Sequence, residues 1–275
     1  MGAVLRPYAA MFAANFQQML QYRAAAVAGF ATQCWWGAMK VMVLAAFYAG
    51  AAGLAPMRLA DAITYVWLGQ ATLAFLPWAA DAEVSDMVRS GAIGYERLRP
   101  ADTYALWYVR GAATMIARVL PRAALMVAVA GIALPLSGLG AWSLRPPAGP
   151  AAAALFCAAL AGIIVLSAAI RALLTISVVA TLSDRGVNTL AAPVVNILSG
   201  SIIPLAFLPA WMVPALRLQP LAGLVDTPFR IWFGELTGWD ALAGIGLQFG
   251  WSAVLILIGR AWLEHVMRRL QVQGG

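Results

Sequence analysis

Apolar residues fill this chain in long blocks, not in the one-in-two alternation of a half-buried strand. Six blocks approach or exceed the ~20 residues that cross a hydrocarbon core. They cover residues 24–49, 60–80, 105–136, 151–182, 187–208 and 241–263, the third and fifth being the least regular. The pattern predicts an all-α, polytopic membrane protein, one domain over residues 1–275 with six transmembrane helices. Residues 1–23 differ in kind. Leu5, Tyr8, Phe12, Phe16 and Met19 recur at helical spacing, with Arg6, Asn15, Gln18 and Gln21 among them. That spacing predicts an amphipathic helix lying along the membrane surface. A cleavable signal is not expected there, for want of a compact apolar run. Arg6 stands where a myristoylation motif after Gly2 needs Ser or Thr.

Polar or broken stretches interrupt the blocks. In the loop 81–102, Asp81 and Ser85 are placed to cap a short helix, and the acids Glu83 and Asp86 suit its dipole. Gly91 can end that helix in the left-handed conformation, and Pro100 stops the chain before a helix starting near Asp102. With Arg89, Ser90, Tyr95, Glu96, Arg97, Leu98 and Arg99, this segment is either a charged helix with a glycine hinge or a solvated loop. In the third block Arg110, Thr114, Arg118 and Arg122 recur every fourth residue and form one stripe. Because the block is too long for one crossing at ~1.5 Å per residue, residues 104–121 are expected to enter through the inner interface and bend at Pro121. Contact of the three arginines with lipid phosphate is the alternative. In the fifth block Pro193, Gly200, Pro204 and Pro209 punctuate an apolar run containing Asn196, Ser199 and Phe207. Broken backbone at membrane depth requires cover from protein or a water-filled cavity. Residues 209–240 follow, with Trp211, Trp232, Trp239, Pro214, Pro220 and Pro228. They are expected to form one or two short helices that re-enter the outer leaflet. A wet loop with an aromatic belt accounts for the tryptophans but not for the run 221–225.

Composition agrees with lipid as the main solvent: 63% of residues are hydrophobic and 11% charged, against about 45–50% and 25% in soluble domains. The 18 Lys and Arg outnumber the 11 Asp and Glu, but they lie in loops and at block ends, where they set topology and touch anionic lipid. A nucleic-acid partner is therefore excluded. Arg6 and Arg23 precede the first block, Arg89, Arg97 and Arg99 lie between the second and third, Arg185 between the fourth and fifth, and Arg260, Arg268 and Arg269 at or beyond the end of the sixth, against Arg58, Arg145, Arg217 and Arg230 in the alternate loops. The positive-inside rule then puts both termini in the cytoplasm.

The candidate chemistry is sparse. Lys40, the one lysine, has no phosphate loop around it. His265 is alone, and Cys34 and Cys157 sit in separate blocks, so neither metal nor disulfide is expected. No two carboxylates face each other within a block. The chain is expected not to be an enzyme and to hold no cofactor. Lys40 and Arg171 are the charges deep in blocks, functional by default in lipid. Lys40 can also snorkel, and Arg171, beside Thr175 and Ser177, suits a structural role. Trp35, Trp36, Phe75 and Trp78 either line a pathway or simply pack.

Three stretches carry a family resemblance. They are Val88-Arg89-Ser90-Gly91 with Glu96-Arg97-Leu98-Arg99-Pro100, then Ser199-Gly200-Ser201-Ile202-Ile203-Pro204-Leu205 with Pro209-Ala210-Trp211, and the tail from Arg268 to Gly275. In pattern and order the whole chain resembles the permease subunits of bacterial ABC transporters, of the type-two, viologen- and drug-exporter kind. It departs from many of them in the polar turn Leu182-Ser183-Asp184-Arg185-Gly186. The resemblance implies a multi-pass inner-membrane permease paired with a second, identical or homologous one. It also implies a pair of separate ATP-binding subunits that hold ATP and Mg, and export of hydrophobic or cationic small molecules. The coupling loop would be Glu83, Asp86, Arg89–Gly91 and Tyr95–Pro100. The outer gate and path would be Asn196, Ser199, Gly200, Pro204 and Phe207, with the four aromatic residues above. An ion-coupled secondary transporter and a non-transporting scaffold are the alternatives. The first lacks a buried acid at a span centre, and the second leaves the outer segment without a purpose.

Overall fold

A computed structural model describes residues 2–21, 23–50, 56–98 and 101–269. No strand occurs among them. The α-helices are α1 Gly2–Gln21, α2 Arg23–Gly50, α3 Leu59–Thr72, α4 Ala82–Arg89, α5 Thr103–Met126 and α6 Leu134–Leu136. They continue as α7 Pro150–Thr181, α8 Arg185–Ser199, α9 Val213–Leu218, α10 Asp226–Trp232 and α11 Gly238–Arg269. Among the described residues three helices are, by length and composition, able to cross a membrane: Thr103–Leu136, which joins α5 to α6, then α7 and α11.

These three form the frame. α11 packs along α7, and α7 packs against α5. α2 lies against α3 and α5, and α1 runs beside α5. Tyr8 Oη accepts from the Asp102 amide at 3.3 Å, which ties α1 to the start of α5. Where two helices meet, small residues make room. A Cβ on Gly37 of α2 would lie 2.6 Å from the Trp67 ring, and one on Gly162 of α7 would lie 2.4 Å from Gln248 Oε1.

Three apolar blocks differ from their expected form. Block 60–80 is α-helical only over the 14 residues of α3, about 21 Å at 1.5 Å per residue. Leu76 precedes Pro77 and is extended, at φ −69° and ψ 125°, as the pre-proline clash favours. Block 187–208 ends as α-helix at Ser199, because Gly200 adopts φ 84°. The 103–136 helix runs through Pro121 without leaving the α form. Its irregularity is the π-helical stretch Val127–Ala133. Widened turns free a carbonyl there, and Ala130 O accepts from Leu144 N at 2.8 Å.

The segment 209–240 folds as the short helices α9 and α10 with a 3-10 turn between them. Leu221, Ala222, Leu224, Val225, Phe229 and Ile231 are buried, so a solvated loop does not describe it. Gln248 of α11 secures it, its Nε2 donating to Gly223 O at 2.6 Å and to Ala159 O at 3.3 Å. Asp226, 2% exposed, lies 3.3 Å from Arg217 Nε and 3.7 Å from Arg230 Nη1. Indole N–H groups also serve as fasteners: Trp67 donates to Trp142 O, Trp232 to Arg145 O and Trp251 to Leu218 O. Trp211 and Trp239 remain exposed.

Candidate functional site

The first site is built on the N-cap of α4. Asp81 Oδ1 accepts from the amides of Glu83 at 3.0 Å and Val84 at 3.4 Å, satisfying donors that the helix itself cannot. Gly91, at φ 75°, follows the C-cap Ser90 and turns the chain away. The capping carboxylate also holds two arginines from long helices. Arg110 of α5 donates from Nε to Oδ2 at 3.2 Å, and its Nη2 lies 3.2 Å from Oδ1. Arg171 of α7 brings Nη2 to 3.7 Å from Oδ2. Arg110 Nη1 reaches Glu83 Oε2 at 2.9 Å. The Asp81 amide donates to Thr175 Oγ1 at 3.0 Å, and that hydroxyl donates to Arg171 O at 2.9 Å. Asp81 and Arg110 are 6% and 4% exposed, so this is an interior ionic cluster, in which each charge depends on its partners. Below it Val84 and Ile93 pack with Trp107, Ile176 and Leu263. α4 is thereby fixed to α5 and α7 at once.

The other side of the loop carries the exposed residues. Tyr95 and Leu98 are 72% and 77% exposed. Asp86 and Arg89 pair at 2.9 Å, and Arg89 Nη2 reaches Asp184 Oδ2 at 2.6 Å. That hydrogen bond and the charge of Asp184 raise the Arg89 pKa above its ordinary value. Ser90 Oγ donates to Asp86 O at 2.9 Å. Glu96 points inward, 3% exposed, and accepts from Trp107 Nε1 at 3.2 Å. Arg99, Pro100 and the Arg97 side chain lie outside the described residues.

The second site is an apolar cavity of about 320 Å³ between α2, α3 and the irregular stretch after α8. Trp36, Lys40, Val43 and Leu44 of α2 line it, facing Tyr65, Gly69 and Gln70 of α3 and 201–204 with Phe207. The left-handed Gly200 produces that third wall. Its carbonyl accepts from Tyr65 Oη at 3.0 Å, and a Cβ there would stand 2.8 Å from the same oxygen. Lys40 Nζ donates to Ser201 O at 3.4 Å. Among the described residues no carboxylate lies within salt-bridge distance of it.

Of the residues singled out from the sequence, Trp36, Pro204 and Phe207 line the cavity, while Gly200 and Ser199 shape the turn behind it. Ser199 is fully buried and Phe75 is in the main core, so neither faces the opening. Trp35 is 68% exposed on the outside of α2. Trp78 Nε1 donates to Asn196 Oδ1 at 3.2 Å, and the Ala80 amide donates to Asn188 Oδ1 at 3.0 Å. These two bonds fasten α8 to the strap between α3 and α4. The Arg110 stripe and Arg171 are visible in the sequence, but their common partner, Asp81, is not. A buried cation on each of two long helices was the available signal, since each needs an acid. Among the described residues no three His, Cys, Asp or Glu side chains converge to hold a metal ion. Compared with known protein families, curated proteins and solved structures, the chain matches none.

Proposed function

We propose that this chain is the permease subunit of an ATP-driven exporter in the bacterial inner membrane. In this reading it has six spans and cytoplasmic termini. It works with a second permease and with a pair of ATP-binding subunits that hold ATP and Mg. The three long helices and α2 supply four spans. α3 and α8, each extended by the irregular stretch that follows it, supply two. Residues 209–240 re-enter the outer leaflet.

The observation that carries the reading is the Asp81 cluster. Bonding of the eight-residue α4 to both α5 and α7 lets a push on its outer face pass to two long helices at once. On our reading, closure of the ATPase pair presses on Asp86, Arg89, Tyr95 and Leu98. Because the cap of α4 is held by Arg110 and Arg171, the push displaces α5 and α7 instead of unwinding the loop. The strap 76–81 leads directly to α3, whose Tyr65 and Gln70 line the cavity, and through Trp78 and Asn196 to α8. Movement of α4 therefore reaches two walls of the cavity, and 200–207 acts as its outer gate. Ion-coupled transport gains less support, since the buried acids Asp81 and Asp226 are held by arginines and Glu96 accepts from the Trp107 indole.

A photo-crosslinker at Leu98 tests the proposal in the native membrane. The expected adduct is a protein containing a G-x-x-x-x-G-K-[ST] loop. Tyr95→Asp with Leu98→Asp is expected to abolish its co-purification and to leave the melting temperature of the permease unchanged. Adducts with lipid alone would refute the ATP-driven reading.

A further inference from the structure

We infer that the cavity between α2, α3 and 201–207 binds an amphiphile with an anionic head, seated on Lys40. The walls are almost wholly aliphatic and aromatic, with Val43, Leu44, Val66, Ile203 and Phe207 among them. The volume of about 320 Å³ falls in the range of ~300–1,000 Å³ for small-molecule sites. Against these walls stands one ammonium group. It carries three donors, one of which is engaged, at 3.4 Å from Ser201 O. No carboxylate among the described residues neutralises it, so a carboxylate, phosphate or sulfonate completes its surroundings and a cation is repelled. A charge kept in apolar surroundings marks a functional site.

A second observation comes from the facing helix. Gln70 is 3% exposed and lines the same cavity, yet its Oε1 has no hydrogen-bond partner. A buried acceptor left unpaired is unfavourable. A hydroxyl or amide N–H next to the ligand's head would satisfy it. The rim is apolar as well, with Trp36, Val43, Ile202 and Ile203 all more than half exposed, so an alkyl tail can pass from the cavity into surrounding lipid. As a statement about cargo this rests on the export reading above and replaces a cationic cargo with an anionic one. As a statement about binding it stands alone.

The test uses the full chain in phosphatidylcholine nanodiscs, with radiolabelled dodecyl phosphate as probe and empty discs as background. Saturable binding is expected. It should be displaced by unlabelled dodecyl phosphate and not by a tenfold higher concentration of dodecyltrimethylammonium. Lys40→Met should weaken binding at least tenfold, and Lys40→Arg should stay within threefold. Val43→Trp, which narrows the mouth of the cavity and keeps the ammonium, should weaken binding at least tenfold. Unchanged affinity in Lys40→Met, equal displacement by the cation, or undiminished binding in Val43→Trp would each overturn the inference. Should Lys40→Met fail to fold, the cation competition and Val43→Trp decide. Phosphatidylglycerol in the discs identifies the source: competition assigns the seat to a bilayer lipid, and its absence to a free amphiphile. No ATPase is present, so failure here leaves the export reading standing, and failure of the Leu98 crosslink leaves this one standing.

Discussion

Asp81→Asn is the substitution that best separates a structural node from an ordinary helix cap. Asparagine keeps an oxygen to accept from the Glu83 and Val84 amides, so the capping function survives. What disappears is the negative charge shared by Arg110 and Arg171. The side chains of Asp81 and Arg110 are 8% and 5% exposed, which sets the comparison apart from a surface pair worth ~0–1 kcal/mol. Removing one partner of a buried pair costs about 3–5 kcal/mol when the other is left alone, and the lower end applies here because Glu83, though largely exposed, stays 2.9 Å from Arg110 Nη1. Loss of a cap adds about 1 kcal/mol, so Asp81→Ala should be the worse variant by roughly that amount. Arg110→Met should cost less than Asp81→Asn, since Arg171 still neutralises Asp81, and the Glu83 carboxylate that Arg110 also held is 61% exposed. In the double variant the two effects should fall short of additivity by ~1–3 kcal/mol, the coupling expected of residues in one network. Reversible unfolding in mixed micelles, followed by tryptophan fluorescence against mole fraction of dodecyl sulfate, measures all four. Asp81→Asn within about 0.5 kcal/mol of the wild type, the scatter of ordinary surface changes, would mean that water already screens the cluster and the argument for a rigid strut fails.

Two other substitutions test neighbouring packing arguments by the same titration. Gly162→Ala places a Cβ 2.4 Å from Gln248 Oε1 and should destabilise by ~1–3 kcal/mol, as overpacking does. An unchanged midpoint would show that Gln248 can leave Gly223 O and Ala159 O without loss. Asp184→Asn breaks its contact with Arg89, whose side chain is 62% exposed, and should cost less than ~1 kcal/mol. A larger loss would reveal a load on the 182–186 turn that its exposure does not suggest.

How much of this was legible in the sequence depends on what each feature needs. α2, α7 and α11 follow the apolar blocks 24–49, 151–182 and 241–263 closely at their starts, because uninterrupted hydrophobicity alone specifies them. α3 and α8 do not, since hydropathy is blind to the backbone: the chain leaves the α form at Thr72, ahead of Pro77, and at Gly200 while the apolar run continues. The α4 cap and its Gly91 terminator were readable, being local grammar within ten residues. The ionic cluster was not, because Arg110 lies 29 residues from Asp81 and Arg171 on a different helix again. Only the packing of α5 on α7 brings them to one carboxylate. Glu96 shows the same limit. Its neighbours in sequence suggest an exposed charged tip, and the Trp107 indole turns it inward.

The π-helical stretch at Val127–Ala133 has a bearing on how this chain tolerates length change. One wide turn is what an α-helix makes of a single extra residue, and it advances the phase of everything beyond it by about 100°. The face that 103–126 turns toward α7 and the face that 134–136 presents are therefore set independently. A one-residue deletion in 127–133 would re-register the distal end as plain α-helix and remove the carbonyl that Leu144 uses. The same deletion in α7 or α11 has no such buffer and would rotate half the frame out of contact. A one-residue deletion should accordingly cost less folding stability in this helix than in the other two.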